Sequence, residues 1–223
     1  MKIAPPKLKL ALLGAESTGK TRLSQELAQA LRARGESVAV VAEVLREWCE
    51  REGRTPRPEE QLPIAQEQER RVDAAAAAAD IVIADTTSLM VAIYSAMLFK
   101  DGTLYRFALE RQRRYDVTLV TGLDLPWVAD GLQRDGPHVR GPVDELVRTS
   151  LAEAGVSYRV VYGSGGERLR NALAAIDSIA KDRCSVRAGG LQGSQDKAWT
   201  WSCDKCSDPD CEHRLLTRLL SRG

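Results

Sequence analysis

The stretch 12–28, LLGAESTGKTRLSQELA, decides the fold of this 223-residue chain. It places Gly14 and Gly19 ahead of Lys20 and Thr21, which fits the pattern G-x-x-x-x-G-K-[ST] of a phosphate-binding loop. Glycines let successive backbone N–H groups turn toward an anion, and the N-terminus of the following helix adds positive partial charge. The lysine supplies a cation for the β- and γ-phosphates, and the threonine hydroxyl supplies a ligand for Mg²⁺. The stretch therefore predicts binding of a nucleoside triphosphate.

The segments on either side of the loop support this interpretation. An apolar run of strand length, 8–13, precedes the loop, and leucines at helical spacing follow it as far as Gly35. A glycine-rich turn that matches the pattern by chance is the alternative, and it accounts for neither flank. We expect the loop and the residue after it to contact ATP: Gly14, Ala15, Glu16, Ser17, Thr18, Gly19, Lys20, Thr21 and Arg22.

Charge and cysteine content limit the possible partners and compartments. The 32 basic and 31 acidic residues are interspersed and leave a net charge of +1, which favours neither nucleic acid nor a membrane as a partner. The apolar stretch near the start is short and runs into the phosphate loop, so we expect no secretion leader. A protein that uses ATP and lacks a leader is expected in the cytoplasm, where the five cysteines would be thiols or metal ligands.

Apolar runs of strand length alternate with helical patterns along most of the chain. This alternation predicts an α/β fold with a parallel sheet that is buried on both faces. The predicted strands are 8–13, 37–42, 80–85, 116–121 and 157–162. The predicted helices after the first are 43–52, 59–79, 86–99, 103–114, 141–154 and 167–181. Polar, glycine-rich composition after residue 181 divides the chain into a main domain 1–181, a linker 182–198 and a small tail 199–223.

An acidic residue, Asp85, ends the third predicted strand. In phosphate-loop proteins such a residue supports Mg²⁺, directly or through water. The alternative is that Asp85 caps the next helix, a role that Thr86 or Thr87 could fill instead. We expect Thr21 and Asp85 to hold Mg²⁺.

A second acidic residue, Glu43, follows the second predicted strand, with Arg46 and Trp48 just beyond it. Ligands of open parallel sheets bind at the carboxyl ends of the strands. Glu43 is therefore placed to act as a general base toward a phosphoryl acceptor or to hydrogen-bond its hydroxyl. The alternative is an ordinary exposed Glu43–Arg46 ion pair. Trp48 could stack on an acceptor ring, although an isolated tryptophan more often packs in a core or an interface.

The connection 122–142 is long and rich in turn residues. It carries Arg134 and Arg140, which would offset charge on a transferring phosphoryl group if the segment closes over the phosphates. A solvated surface loop is the alternative. The residues expected to take part in catalysis are Lys20, Glu43, Asp85, Arg134 and Arg140.

Four motifs together resemble one family, the ribosylnicotinamide kinase domain of NadR-type proteins. They are GAESTGKT at 14–21, AEVLREW at 42–48, IADTT at 83–87 and DLPWVADGL at 124–132. The resemblance covers roughly residues 8–181, and the PWVADG segment is far more selective than the phosphate loop. It implies a five-stranded sheet of order 2-3-1-4-5. It also implies transfer of phosphate from ATP, with Mg²⁺, to the ribose 5′-hydroxyl of nicotinamide riboside.

The resemblance also implies roles for particular residues. Glu43 and Arg46, with Trp48 nearby, would lie in the acceptor site, and Asp85 would lie near the acceptor hydroxyl or Mg²⁺. Trp127 and Asp130 would lie at the base of the closing loop and contribute to the substrate site, and Arg168 would lie close to adenine.

Two departures from the family pattern leave the acceptor open. Gln133 stands where the family often has an arginine, with Arg134 following it, and the segment 43–48 lacks the family's tyrosines. The acceptor is therefore expected to be nucleoside-like, with nicotinamide riboside as the first candidate.

The tail contains a cluster of metal-ligating residues: Cys203, Cys206, Cys211 and His213. This spacing predicts a closed, structural Zn²⁺ site, with Cys184 as a substitute ligand if the Cys-x-His geometry is too cramped. Unligated thiols are the alternative. Acidic residues crowd the cluster and argue against binding of nucleic acid.

Two functions from different classes remain open. The first is an ATP-dependent kinase for a nucleoside-like small molecule. The alternative is a nucleotide-dependent switch ATPase whose zinc tail docks a protein partner.

Overall fold

A computed structural model of the protein describes residues 8–128 and 136–188, with side chains described as far as residue 179. Within these residues, five parallel strands form one sheet: β1 Leu8–Leu13, β2 Val38–Val41, β3 Ile81–Asp85, β4 Val117–Thr121 and β5 Arg159–Val161. Their order across the sheet is β2-β3-β1-β4-β5. The predicted α/β class and the 2-3-1-4-5 order are both confirmed.

The helices of the described residues connect these strands. They are α1 Lys20–Ala33, α2 Val44–Glu52, α3 Pro58–Ala78, α4 Ser88–Phe99, α5 Leu104–Gln112, α6 Arg140–Glu153 and α7 Gly165–Ala188. A single turn of 3-10 helix, Pro137–Val139, leads into α6. None of the described helices is both long enough and apolar enough to cross a membrane.

Successive residues of the central strand β1 are buried on opposite faces of the sheet. Leu10 and Leu12 pack against α1 and α7, whereas Ala11 and Leu13 pack against the helices of the other face. Side chains of a strand alternate between the two faces, and here both faces are covered by helices. The strands consequently consist of mostly apolar runs, which is the pattern that predicted them.

The last helix is longer than predicted. It was expected to end at residue 181, but α7 continues to Ala188. Residues 182–188, DRCSVRA, contain neither glycine nor proline, so nothing in this segment ends a helix, and Gly189 and Gly190 follow in the sequence. The segment predicted to be a linker therefore begins as helix.

The chain divides into two compact units, residues 1–180 and residues 181–223. Of the second unit, the structure describes only the backbone at the end of α7. The predicted zinc ligands Cys203, Cys206, Cys211 and His213 lie outside the described residues. Cys184 lies on α7, where side chains are not described.

Candidate functional site

The predicted phosphate loop connects the end of β1 to the first residue of α1, and its backbone depends on two glycines. Gly14 has φ +141° and Gly19 has φ +75°, values that L side chains rarely adopt. A Cβ added at Gly14 would lie only 2.2 Å from Thr121 Oγ1 at the end of β4. Gly14 is therefore required by a close approach as well as by its conformation. Helix α1 begins directly after the loop, so its first N–H groups face this segment.

Two threonine hydroxyls hold the loop from inside the protein. Thr18 Oγ1 donates to Ala15 O at 2.8 Å and lies 2.7 Å from Thr121 Oγ1. Thr121 Oγ1 in turn lies 3.1 Å from Leu13 O. Sequence reasoning missed Thr121. The feature that could have indicated it is a hydroxyl residue at the carboxyl end of a mostly apolar strand.

Lys20 is buried, with 8% of its surface exposed, and its ammonium group lies against the loop. Its Nζ donates to Gly14 O at 2.9 Å and to Ala15 O at 2.7 Å. The two residues after it differ, because Thr21 and Arg22 are exposed. Arg22 pairs with Glu26 one turn along α1, at 2.7 Å.

Glu43 lies where β2 ends and α2 begins, as the sequence predicted. Burial raises the pKa of its carboxyl above the ordinary value, while the charges of Lys20 and Arg46 lower it and that of Asp85 raises it further. These four groups are thus close enough to interact electrostatically. Arg46 also hydrogen-bonds Glu43 directly, through Nη2 at 3.2 Å and Nε at 3.3 Å. The structure therefore brings together the residues predicted for the acceptor side and the lysine of the loop.

Asp85 is the last residue of β3 and is 3% exposed. Its Oδ1 is buried and has no hydrogen-bond partner among the described residues. Thr86 follows in a left-handed conformation, φ +73°, which is strained for a β-branched residue. Thr87, not Asp85, caps α4, because its side chain accepts from Leu89 N.

This arrangement can hold a metal ion together with a phosphate chain. A buried carboxylate oxygen without a partner is costly unless a cation or a donor satisfies it. Mg²⁺ prefers oxygen ligands, and the sequence predicted two for it, the carboxylate of Asp85 and the hydroxyl of Thr21. No cluster of three or more His, Cys, Asp or Glu side chains suited to a metal occurs in the described part of the chain. An Mg²⁺ ion here would therefore need oxygens from the nucleotide and from water as well.

Trp48 packs against the core on one side and carries an arginine on its ring. The guanidinium carbon of Arg54 lies 4.8 Å from the ring centroid, and Arg54 forms a two-point ion pair with Glu60. Arg54 thus covers part of the ring that was predicted to stack on an acceptor. Trp127 is half-buried, and its indole nitrogen is buried without a hydrogen-bond partner among the described residues.

The start of the long connection after β4 is hydrogen-bonded to the phosphate loop. Val128 N donates to Ser17 Oγ at 2.8 Å, and Ser17 Oγ lies 3.1 Å from Val128 O. Asp130 and Arg134, which were predicted to act in substrate binding and catalysis, lie outside the described residues.

Arg140 and Arg168 are both buried and donate to backbone carbonyls. Arg140 Nη1 donates to Leu125 O at 2.9 Å. Arg168 is 4% exposed, and its Nη2 donates to Thr18 O at 2.9 Å within the phosphate loop. Arg140 therefore holds the backbone after β4, and Arg168 holds the backbone of the phosphate loop.

Arg168 also reaches two segments beyond the phosphate loop. Its Nη1 donates to Gly163 O at 2.9 Å and to Asp124 Oδ1 at 3.1 Å. It thereby connects the loop, the segment after β4 and the turn after β5, a role that its predicted place near adenine did not anticipate.

Cys49 is the cysteine whose side chain the structure describes, and it is buried in α2. Burial raises the pKa of its thiol to about 11, and the charge of Glu43 contributes in the same direction. The thiol is therefore protonated at neutral pH and is a poor nucleophile.

A phosphate loop after β1, carboxylates at the ends of β2 and β3, and a sheet of order 2-3-1-4-5 define a P-loop kinase-like α/β protein. The sequence model of the family described as AAA domain matches residues 9–168, which is most of the chain. The chain belongs to this family. Among curated protein sequences, none matches it significantly.

Solved structures of low sequence identity share the fold. NadR protein in complex with NR has a TM-score of 0.64, and NadR protein in complex with NAD and AMP-PNP has a TM-score of 0.61. Each is 18% identical and covers 85% of this chain, which spans only about half, 52% and 51%, of those proteins. Deoxyadenosine kinase from M. mycoides with bound dCTP has a TM-score of 0.52 at 14% identity, covering 77% of this chain and 100% of its own.

Proposed function

We propose that this protein is an ATP-dependent kinase that transfers the γ-phosphoryl group to a hydroxyl of a nucleoside-like acceptor. One observation carries the proposal. The sheet register pairs Leu12, just before the phosphate loop, with Asp85, and pairs Val41, just before Glu43, with Ala84. The charges of Lys20 and Asp85 accordingly both act on the pKa of Glu43. A phosphate donor on the loop and an acceptor at the neighbouring strand ends would therefore meet at these three side chains.

The roles follow from charge and position. The N–H groups of residues 14–19 and the ammonium group of Lys20 bind the phosphates of ATP, and Arg22 lies at the edge of this site. Thr21 and Asp85 hold Mg²⁺, which when bound neutralises charge on the phosphate oxygens. Glu43 accepts the proton of the acceptor hydroxyl as that oxygen forms its bond to the γ-phosphorus, while the bond from this phosphorus to the β,γ-bridging oxygen breaks and ADP leaves. A carboxylate with a raised pKa is a stronger base for this step than an exposed one.

The substrate-binding and loop residues complete the proposal. Arg46, Trp48, Trp127 and Asp130 bind the acceptor, and the buried indole N–H of Trp127 is a donor suited to an acceptor oxygen. Arg134 and Arg140 act from the 122–142 connection. Arg140 does so indirectly, by holding Leu125 O.

The acceptor proposed first is nicotinamide riboside. The motif resemblance supports it, as does the shared fold with a NadR structure that contains NR. The shared fold with deoxyadenosine kinase supports the wider class of nucleosides.

We also propose that residues 199–223 bind a structural Zn²⁺ through Cys203, Cys206, Cys211 and His213. Metal analysis of the purified full chain tests this, and a stoichiometry near zero would remove the zinc proposal.

Incubation of the purified protein with γ-labelled ATP, Mg²⁺ and a panel of nucleosides tests the kinase. We expect transfer of label to nicotinamide riboside or to another member of the panel. Hydrolysis of ATP without transfer to any nucleoside would overturn the kinase and leave the switch ATPase with a protein partner.

A further inference from the structure

Two consecutive residues of α3, Gln68 and Glu69, reach the two strand ends that carry the candidate carboxylates. Gln68 is 1% exposed. Its Oε1 accepts from Val44 N at 2.9 Å, and its Nε2 donates to Ala42 O at 3.3 Å. These two backbone groups belong to the residues immediately before and after Glu43, so one amide holds the chain on both sides of it.

Glu69 makes the corresponding contact after β3. It is 3% exposed, and its Oε1 accepts from Ser88 N at 3.0 Å and from Ser88 Oγ at 2.6 Å. Ser88 is the first residue of α4 and lies three residues after Asp85. Tyr115 Oη and Arg111 Nε donate to the other oxygen at 3.2 Å and 3.4 Å, so Glu69 is fully hydrogen-bonded.

Capping of helix ends accounts for only part of these contacts, because Val44 N and Ser88 N are the first N–H groups of α2 and α4. Helix α4 already has a local cap, because Thr87 accepts from Leu89 N. At α2, Gln68 also donates to Ala42 O, a carbonyl that lies between β2 and α2, and this bond involves no helix N–H. Both partners are distant in sequence, 24–26 residues for Gln68 and 19 for Glu69, and both lie on one rigid helix.

We infer that Gln68 and Glu69 are positioning residues that fix the separation of the Glu43 and Asp85 carboxyl groups. Strands β2 and β3 are neighbours, with Val41 paired to Ala84, so Glu43 and Asp85 lie two residues and one residue beyond this pair, at the same edge of the sheet. Hydrogen bonds from adjacent residues of α3 hold the backbone segments that follow β2 and β3. They thereby fix the distance between the proposed general base and the proposed metal ligand. This inference rests on the proposed kinase function and adds residues that touch neither substrate.

The variant Gln68→Met removes both hydrogen bonds at nearly constant volume. With ATP and the nucleoside that the wild type phosphorylates best, we expect kcat to fall by about tenfold or more, because small misplacements of reacting groups are costly. The KM for ATP should stay within about twofold, because the phosphate loop makes none of these contacts. An unchanged kcat, or a parallel loss of affinity for ATP, would overturn the inference.

Gln61→Met is the matched control. Gln61 is also a 1% exposed glutamine of α3, two turns earlier, and among the described residues its amide donates to Pro56 O alone, at 3.4 Å. We expect wild-type kinetics from it, and a loss equal to that of Gln68→Met would show a general effect of the helix.

Glu69→Gln keeps an oxygen for Ser88 and should retain most of kcat, whereas Glu69→Leu should not. Equal activity of these two variants would contradict the role of Glu69.

Crystal structures of the wild type and of Gln68→Met separate this inference from the proposed function. We expect the Glu43 carboxyl to move by about 1 Å or more relative to Asp85 in the variant, with residues 14–21 unmoved. An unmoved carboxyl overturns the inference whether or not the protein phosphorylates a nucleoside. Absence of any phosphorylated nucleoside overturns the function alone.

Discussion

The phosphate side and the acceptor side of the site are built in opposite ways. On the phosphate side, eight consecutive residues, 14–21, provide the backbone, the glycines and the lysine. On the acceptor side, Glu43 and Asp85 come from separate strand ends and depend on Gln68 and Glu69 of a third element. A contiguous loop has its geometry encoded locally, whereas a dispersed site depends on packing of the whole fold. Substitutions should therefore act differently on the two sides.

Lys20 lies between the two sides, and its loss should have the largest effect. In Lys20→Met, removal of the cation at the transferring phosphate should lower turnover of ATP by about 10²–10³-fold. Steady-state kinetics and calorimetry with ATP and Mg²⁺ measure this. Lys9→Met is the control, because Lys9 lies on β1 and pairs with Asp73, and this variant should turn over ATP at close to the wild-type rate. Wild-type turnover in Lys20→Met would remove the loop from the reaction.

Glu43→Gln should separate the two sides, because it changes the acceptor side alone. Loss of the proposed base should lower phosphorylation of the acceptor by about 10²-fold while the affinity for ATP is retained. Parallel loss of ATP binding would show that Glu43 supports the phosphate side instead.

Glu43→Gln should lower activity but raise the free energy of unfolding at pH values above the raised pKa of Glu43. Since the pKa of Glu43 is raised in the folded protein, the folded state binds this proton more tightly than the unfolded state does. The wild type should therefore lose stability relative to the variant as the pH rises from the ordinary carboxyl value through the raised pKa. Urea unfolding of both proteins across this range measures the difference. A constant difference would contradict the raised pKa.

Gly14→Ala should affect the phosphate side alone, and its effect should be smaller than the effects of Lys20→Met and Glu43→Gln. The added methyl group would meet Thr121, so the loop must shift, which should weaken ATP binding and cost about 1–3 kcal/mol of stability. Gly35→Ala is a matched control, because Gly35 also has positive φ but has no atom within 4 Å of the added Cβ. It should cost about 1–2 kcal/mol of stability without any effect on ATP binding. Equal ATP affinities in the two variants would contradict the close approach at Gly14.

The smallest effect is expected on the acceptor side, at Glu60→Gln. Hydrogen bonds from Arg54 lower the pKa of Glu60 to about 2, with a further bond from Arg57 N. Its contribution to stability is present above the unfolded carboxyl value and is lost as the pH falls toward about 2. The small difference in melting temperature between the wild type and Glu60→Gln should therefore shrink across that window. A difference that does not depend on pH would exclude the ion pair as its source.

The sequence predicted what is local or periodic and missed what is assembled in space. The loop, the strands and the placement of Glu43 and Asp85 at strand ends followed from spacing and from burial on both faces. Thr121 escaped notice because its relation to Gly14 spans more than a hundred residues. The end of α7 was predicted too early because the polar, glycine-rich composition after residue 181 was interpreted as a linker, although its first glycine is Gly189.

Charge and residue type in the sequence could not distinguish residues that hydrogen-bond the backbone from residues that contact the substrate. Gln68 is one of several glutamines on α3, and nothing in the sequence sets it apart. The place of Arg168 near adenine stays a prediction, and the sequence did not indicate that its guanidinium is bonded to three segments of the same chain. Such roles depend on which backbone carbonyls lie near a side chain, and no motif encodes that.

The bond between Arg168 and Thr18 O has a consequence for protein synthesis. The two residues are 150 positions apart, so the ribosome completes residues 14–21 long before it adds the residue that supports them. Throughout translation of the intervening strands, the nascent chain lacks this donor. Binding of nucleotide during synthesis would thus meet a loop without its arginine support until α7 has emerged from the exit tunnel.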